Sequence, residues 1–233
     1  SFTDSNVTIG AGQGRIAQGD FNGDGHVDFA VSHQFATNYS VLLGNGTGGF
    51  SSMVTSGTIG LVSFIEVSDL DGDGNQDLTL ASGLSVSTAK GSGSGTFGVP
   101  LIFAMGGSLR GISSGDYNED GHPDLLGVTA SNSYSLLLGD GSGNFGPPPL
   151  YERTSNASSV CLGDFDGDGD LDVAFAKLGP TGVSVLLGTG AGDFGSATNF
   201  GAGITPVCIR AGDFNQDGYL DLAVANSGGA NVS

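Results

Sequence analysis

Short apolar runs, each bounded by an acidic or glycine-rich turn, recur along the whole chain, and no segment sustains the 3.6-residue period of an amphipathic helix. One set comprises Phe29-Ala30-Val31, Leu78-Thr79-Leu80, Leu125-Leu126, Val173-Ala174-Phe175 and Leu222-Ala223-Val224. These runs are continuous rather than alternating, which predicts short strands buried on both faces, as where one sheet stacks on the next. A second set follows at Val41-Leu42-Leu43-Gly44, Leu136-Leu137-Leu138-Gly139 and Val185-Leu186-Leu187-Gly188, with Val86-Ser87-Thr88-Ala89 as a degraded member. Glycine-rich turns then lead to Phe50, Phe97, Phe145 and Phe194, which their size and apolarity place between sheets rather than against a ligand. The unit recurs every 47 to 49 residues, a period that belongs to propeller blades or a solenoid. The expected fold is therefore all-β.

Ahead of each run of the first set stands an acidic nine-residue loop, at 20–28, 69–77, 116–124, 164–172 and 213–221. Oxygen-bearing residues occupy positions 1, 3, 5 and 9. They are Asp20, Asn22, Asp24 and Asp28; Asp69, Asp71, Asp73 and Asp77; Asp116, Asn118, Asp120 and Asp124; Asp164, Asp166, Asp168 and Asp172; Asp213, Asn215, Asp217 and Asp221. Position 6 is always glycine, free to make the sharp turn that lets the backbone carbonyl of position 7 face an ion. That carbonyl belongs to His26, Asn75, His122, Asp170 or Tyr219. Four side chains and one carbonyl make five protein oxygens per loop, which suits calcium, with its six to eight oxygens in flexible geometry, better than magnesium. The absence of sulfur or imidazole from the ligand side chains disfavours zinc and copper. A solvated turn explains one such loop but not five in one phase. An EF-hand needs a glutamate at position 12, where this chain has Val31, Leu80, Gly127, Phe175 or Val224.

Charge enters here because it is concentrated in these loops. Seventeen of the 24 acidic residues fall at the proposed ligand positions, and five divalent ions would take the formal net charge from −18 to −8. Only six residues are basic (Arg15, Lys90, Arg110, Arg153, Lys177 and Arg210), which argues against a nucleic acid or an anionic membrane as partner. No stretch has the length of a membrane-spanning helix, and Ser1 opens directly into repeat-like sequence, so any export signal is expected to be gone.

The DxDxDGxxD loops, the apolar run after them as in Leu171-Asp172-Val173-Ala174, and the pairs Phe97-Gly98, Phe145-Gly146 and Phe194-Gly195 resemble the FG-GAP/VCBS repeat family, which includes the calcium-binding propeller heads of integrin α subunits. The resemblance covers essentially all of residues 1–233, read as one β-propeller domain of four-stranded blades. It implies that each loop joins the innermost strand of a blade to the second, that all loops share one rim, and that ligands are recognised at the opposite face. Turn residues there are His33, Gln34, Phe35, Tyr39, Asn132, Tyr134 and Lys177. Phe2 to Ile9 resembles an outermost strand such as Ala197 to Phe200, which favours a closed five-bladed ring completed by the amino-terminal stretch. The alternative is a fragment of a larger propeller, with open edges that invite oligomerisation.

Catalytic signals are thin. Neither the three histidines nor Glu66, Glu119 and Glu152 share a phase of the repeat that would pair an acid with a base. The expected function is a secreted or cell-surface, calcium-binding module, carrying about five ions, that binds a protein or carbohydrate ligand without turnover. A propeller domain of a secreted polysaccharide-active enzyme and a structural spacer are the alternatives. Cys161 and Cys208 are expected as free thiols.

Overall fold

The computed structural model describes residues 13–33, 37–56, 60–130, 133–146, 157–178 and 182–233. The amino-terminal stretch Phe2 to Ile9, read above as a closing strand, lies outside them. The chain divides into two compact units, Ser1–Ala104 and Met105–Ser233.

In the first unit, β1 (Gln13–Gly19), β2 (Asp28–His33), β3 (Tyr39–Gly44) and β4 (Phe50–Ser56) form sheet 1. Sheet 2 comprises β5 (Val62–Ser68), β6 (Asp77–Ser82), β7 (Ser85–Ala89) and β8 (Leu101–Ala104). Both are antiparallel meanders in sequence order, the topology that short connections between consecutive strands enforce. Between them Ala30, Tyr39 and Val41 of sheet 1 pack against Val62, Leu78, Leu80 and Ala89 of sheet 2, all buried. Each large apolar side chain so enclosed contributes about 1.5 to 3 kcal/mol relative to exposure. The weak apolar character of Val86 to Ala89 does not interrupt β7: Val86 and Ala89 are fully buried, and the polar Ser87 and Thr88 are buried with them.

In the second unit, sheet 3 consists of β9 (Leu109–Gly115), β10 (Asp124–Thr129) and β11 (Tyr134–Leu137) among the described residues. Sheet 4 holds β12 (Ala157–Gly163), β13 (Asp172–Lys177), β14 (Val183–Leu186) and β15 (Thr198–Phe200). Sheet 5 holds β16 (Pro206–Gly212), β17 (Asp221–Asn226) and the short β18 (Asn231–Val232). Leu126, Val128, Tyr134 and Leu136 of sheet 3 pack on Val160, Val173, Phe175 and Leu186 of sheet 4. Cys161, Ala174, Val183 and Val185 of sheet 4 meet Ile209 and Val224 of sheet 5. The runs in β10 and β13 are buried along their whole length, as their continuous apolarity predicts. The run in β17 departs from that expectation, because only Val224 and Asn226 are buried and Leu222 and Ala223 are half-exposed. The phenylalanines reach their expected places. Phe97 packs into the core between sheets 1 and 2, Phe194 into that between sheets 3 and 4, Phe145 is buried, and Phe50 meets Phe29 at 5.7 Å.

No helix among the described residues is long and apolar enough to cross a membrane. Cys161 and Cys208 are free thiols, as expected. Burial pushes the Cys161 thiol up to about 12.

Candidate metal centre

Each acidic loop joins the first strand of its sheet to the second, as the repeat pattern implies. The turns build themselves from local hydrogen bonds. In all five, the position-1 carboxylate accepts the N–H of the position-6 glycine at 2.9 to 3.1 Å: Asp20 from Gly25, Asp69 from Gly74, Asp116 from Gly121, Asp164 from Gly169 and Asp213 from Gly218. In all five, the position-5 carboxylate accepts the N–H of position 7 at 2.8 to 2.9 Å, pairing Asp24 with His26, Asp73 with Asn75, Asp120 with His122, Asp168 with Asp170 and Asp217 with Tyr219. That bond is the leading reason why the Asp24 and Asp73 carboxyls are held below the usual carboxylate value. The glycines of position 6 have φ between 81° and 100°, the left-handed region that motivated their reading. Position 4 adopts the same region, with glycine in three loops but Glu119 (φ 57°) and Gln216 (φ 64°) in the others. The Gly-x-Gly spacing of loops 1, 2 and 4 is the sequence signal for it.

Position 9 does more than face the loop. Asp28, Asp77, Asp124 and Asp172 are fully buried, and each carboxylate spans two backbone N–H groups. One oxygen accepts from position 2 (Phe21, Leu70, Tyr117 or Phe165) at 2.7 to 2.9 Å. The other accepts from a glycine at or just past the end of the third strand (Gly44, Gly91, Gly139 or Gly188) at 2.7 to 2.8 Å. These aspartates therefore tie the start of the loop to the end of the third strand. The four glycines have no room for a side chain, since a Cβ on any of them would lie 2.2 to 2.3 Å from the position-8 carbonyl oxygen of Val27, Gln76, Pro123 or Leu171. The terminal glycine of the apolar runs thus marks a close backbone approach.

Loops 2 and 4 concentrate anionic oxygen. Asp69, Asp71 and Asp77, and likewise Asp164, Asp166 and Asp172, each offer an oxygen within 4.8 Å of the other two. Burial pushes Asp77 above the usual carboxylate value against the opposing N–H bonds of Gly91 and Leu70. Desolvation raises Asp166, and the negative charges of Asp168 and Asp172 add to it. Hard, crowded oxygens of like charge fit a hard divalent cation, and both clusters could hold a metal ion. In loops 1, 3 and 5 the position-3 residue is asparagine, and its amide donates to the position-5 carboxylate: Asn22 to Asp24, Asn118 to Asp120 and Asn215 to Asp217, at 2.9 to 3.0 Å.

The position-7 side chains have a packing role that the sequence did not reveal. His26, Asn75, His122 and Asp170 lie against the left-handed glycines Gly46, Gly93, Gly141 and Gly190 in the turn that follows the third strand. Tyr219 is 69% exposed. Neighbouring loops also brace one another. Gln76 Oε1 accepts the Asp20 N–H at 2.8 Å, Gly95 N donates to the Phe21 carbonyl at 2.8 Å, and Gly192 N to the Tyr117 carbonyl at 3.0 Å. The Glu119 carboxyl lies against that of Asp170 in the next loop, which raises the Glu119 value.

The turn residues offered above as a ligand face need correction. His33, Tyr39, Tyr134 and Lys177 are buried, at 3%, 0%, 4% and 6% exposure. His33 Nε2 bonds Ser40 Oγ at 2.8 Å, Lys177 Nζ donates to Asn199 Oδ1 at 2.8 Å, and the tyrosine rings pack edge-on to Phe97 and Phe194. Their size and apolar bodies earn more from the core than from solvent. Gln34, Phe35 and Asn132 lie outside the described residues.

Residues 20–80, 69–127, 116–175 and 164–224 each match the FG-GAP-like repeat, every match running from one acidic loop through the next. The chain belongs to the FG-GAP-like repeat family. No curated protein matches this FG-GAP-like chain. Among solved structures it is similar to an Agrocybe aegerita lectin, described for specific recognition of non-reducing terminal N-acetylglucosamine, at 21% identity and TM-score 0.68 over 96% of this chain and 65% of that one. It is also similar to BBS1N in a complex with ARL6DN, at 12% identity and TM-score 0.64 over 97% of this chain and 64% of that one. A third likeness is rhamnogalacturonan lyase YesW, at 13% identity and TM-score 0.52 over 94% and 57%. The FG-GAP-like chain spans less than two thirds of the length of each. Identities this low carry the fold alone, a propeller-like arrangement of repeated antiparallel sheets.

Proposed function

We propose that this chain is an extracellular, calcium-loaded β-propeller that binds a protein or glycan ligand without catalysing its turnover. The observation that carries the reading is the convergence of three carboxylates in loops 2 and 4, within a turn whose hydrogen bonds recur in all five loops. Calcium rather than magnesium suits a cluster of four carboxylate or amide oxygens per loop, because it accepts more protein oxygens in looser geometry. The ligands proposed are the residues at positions 1, 3, 5 and 9 with the position-7 carbonyl, for about five ions in total. Calcium sites of an extracellular type, with Kd near ~0.1 mM, fill at ~2 mM calcium and empty at cytosolic levels, which supports secretion or surface display.

Similarity to a lectin and to a protein held in a complex supports ligand binding as the role. The net charge of −18 turns the choice away from nucleic acid. Five repeats are proposed to close into a five-bladed ring, against the alternative of an arc from a larger propeller. Light scattering separates the two, because a ring stays monomeric on concentration and an open arc associates.

The deciding experiment is a glycan array, with a polysaccharide panel assayed for product, run with calcium and with chelator. Saturable, calcium-dependent binding without product supports the reading. Turnover of a polysaccharide supports the second reading, an enzyme's propeller domain, which the likeness to a rhamnogalacturonan lyase favours. Elemental analysis showing far fewer than one calcium per loop removes the metal assignment.

A further inference from the structure

Loops 2 and 4 carry aspartates at the same four ligand positions, yet Lys90 stands beside those of loop 2, while loop 4 adds Asp170 at position 7. Lys90 Nζ lies 3.0 Å from Asp71 Oδ2, and the side chains are 43% and 13% exposed. Register makes the position of Lys90 comparable across sheets. It directly precedes Gly91, whose N–H binds the position-9 aspartate, just as Leu43 precedes Gly44, Leu138 precedes Gly139 and Leu187 precedes Gly188. Leucine is the residue the fold uses there. Leu43 lies over Gly95, and Leu138 over Gly192, in the hairpin of the following sheet. Lysine at this one position gives up that apolar residue and delivers an ammonium to the carboxylate cluster. Asp71 in turn holds the Lys90 ammonium above its ordinary value.

We propose that Lys90 is a built-in counter-cation for loop 2, partly neutralising Asp69, Asp71 and Asp77, so that a divalent ion binds there more weakly than at loop 4. The inference rests on the calcium reading and adds a graded response to it, in which loop 4 fills before loop 2. An entering ion must either displace the ammonium from Asp71 or share the cluster with it. Displacement is sterically easy, since the lysine stem is flexible and half-exposed, so the effect is one of charge. A divalent ion about 5 Å from a solvent-screened ammonium loses between roughly threefold and tenfold in affinity.

The test is a calcium titration of the full chain followed through the backbone amides of Gly74, which reports loop 2, and Gly169, which reports loop 4. In the native protein the Gly74 midpoint is expected at roughly three to ten times the calcium concentration of the Gly169 midpoint, with the gap narrowing at high salt. Lys90→Met keeps the stem and should lower the Gly74 midpoint by roughly threefold to tenfold, whereas Lys90→Arg keeps the charge and should leave that midpoint in place. The charge-free variant should also shift the Gly74 midpoint alone, which a general loss of folding cannot do. An unchanged Gly74 midpoint in Lys90→Met overturns the role of Lys90 and leaves calcium binding standing. If neither amide responds to calcium in any variant, the metal reading itself fails and this inference goes with it.

Discussion

Sheets 4 and 5 are built from the same repeat and carry nearly the same loop, DFDGDGDLD against DFNQDGYLD, yet they differ wherever a neighbour is needed. Within the turns the bonds from the N–H groups of positions 6 and 7 to the position-1 and position-5 carboxylates match, so that part is local. Asp172 is fully buried, with both oxygens bonded to backbone N–H groups. Asp221 is half-exposed and accepts the Phe214 N–H at 3.1 Å. The contrast at position 2 runs along the series. Tyr117 of sheet 3 is buried beneath Phe194, whose ring stands 5.7 Å from both Tyr117 and Tyr134. Phe165 and Val183, the equivalent pair on sheet 4, instead line an open groove of about 500 Å³ together with Phe200, Leu220 and Leu222. Phe214 of sheet 5 is 61% exposed. A turn can thus be specified by nine residues, while the burial of its aromatic depends on a hairpin supplied from the next sheet and the second bond of its last aspartate on the glycine past the third strand of its own sheet.

The largest expected effect comes from removing the proposed ions, which should destabilise every loop on both sides of the contrast. Five independent sites at ~2 mM calcium are together worth on the order of 9 kcal/mol. Chelation should therefore lower the melting temperature by roughly 20 to 30 °C in calorimetry. A shift of only a few degrees leaves the loops as hydrogen-bonded turns without structural ions.

Next in size is the aromatic contrast. Phe194→Ala should cost about 3 kcal/mol in urea denaturation, because it opens the core between sheets 3 and 4. Phe214→Ala should stay within about 0.5 kcal/mol. Equal costs would mean that Phe214 is covered in solution.

The aspartate contrast follows, and it should be measured in chelator so that the metal does not contribute. Asp172→Ala leaves the buried N–H groups of Phe165 and Gly188 without their acceptor, at about 2 to 3 kcal/mol, whereas Asp221→Ala should cost about 1 kcal/mol. A reversal of that order would show that these hydrogen bonds do not determine the difference.

The smallest effect is read by alkylation of the two thiols. Cys161 on sheet 4 is buried, with its thiol pushed up to about 12 from 9.0, and Cys208 on sheet 5 is half-exposed. Iodoacetamide at pH 8 should label Cys208 first, and the Cys161 rate should keep rising tenfold per pH unit above pH 9. Because the folded chain holds the Cys161 proton more tightly than an unfolded one, the associated stability is complete below about pH 9 and is lost as the pH rises toward 12. Equal labelling rates at pH 8 would contradict the burial difference.

The repeat period, the strands of β2, β6, β10 and β13, the loops at 20–28 and its four counterparts, and the core phenylalanines were legible in the amino-acid order. Each depends on short-range chemistry: a continuous apolar run, a carboxylate facing backbone N–H groups a few residues on, a glycine where φ must be positive. Other features were decided by tertiary structure. The second partner of Asp172 is Gly188, sixteen residues away and just past the third strand. Tyr39 and Tyr134 entered the core and left the expected ligand face because Phe97 and Phe194 of the following sheets meet them there. Lys90 reads as an ordinary surface lysine until the fold brings it to Asp71, nineteen residues earlier. Such contacts depend on which sheet stacks on which, and one repeat read alone carries no record of its neighbour.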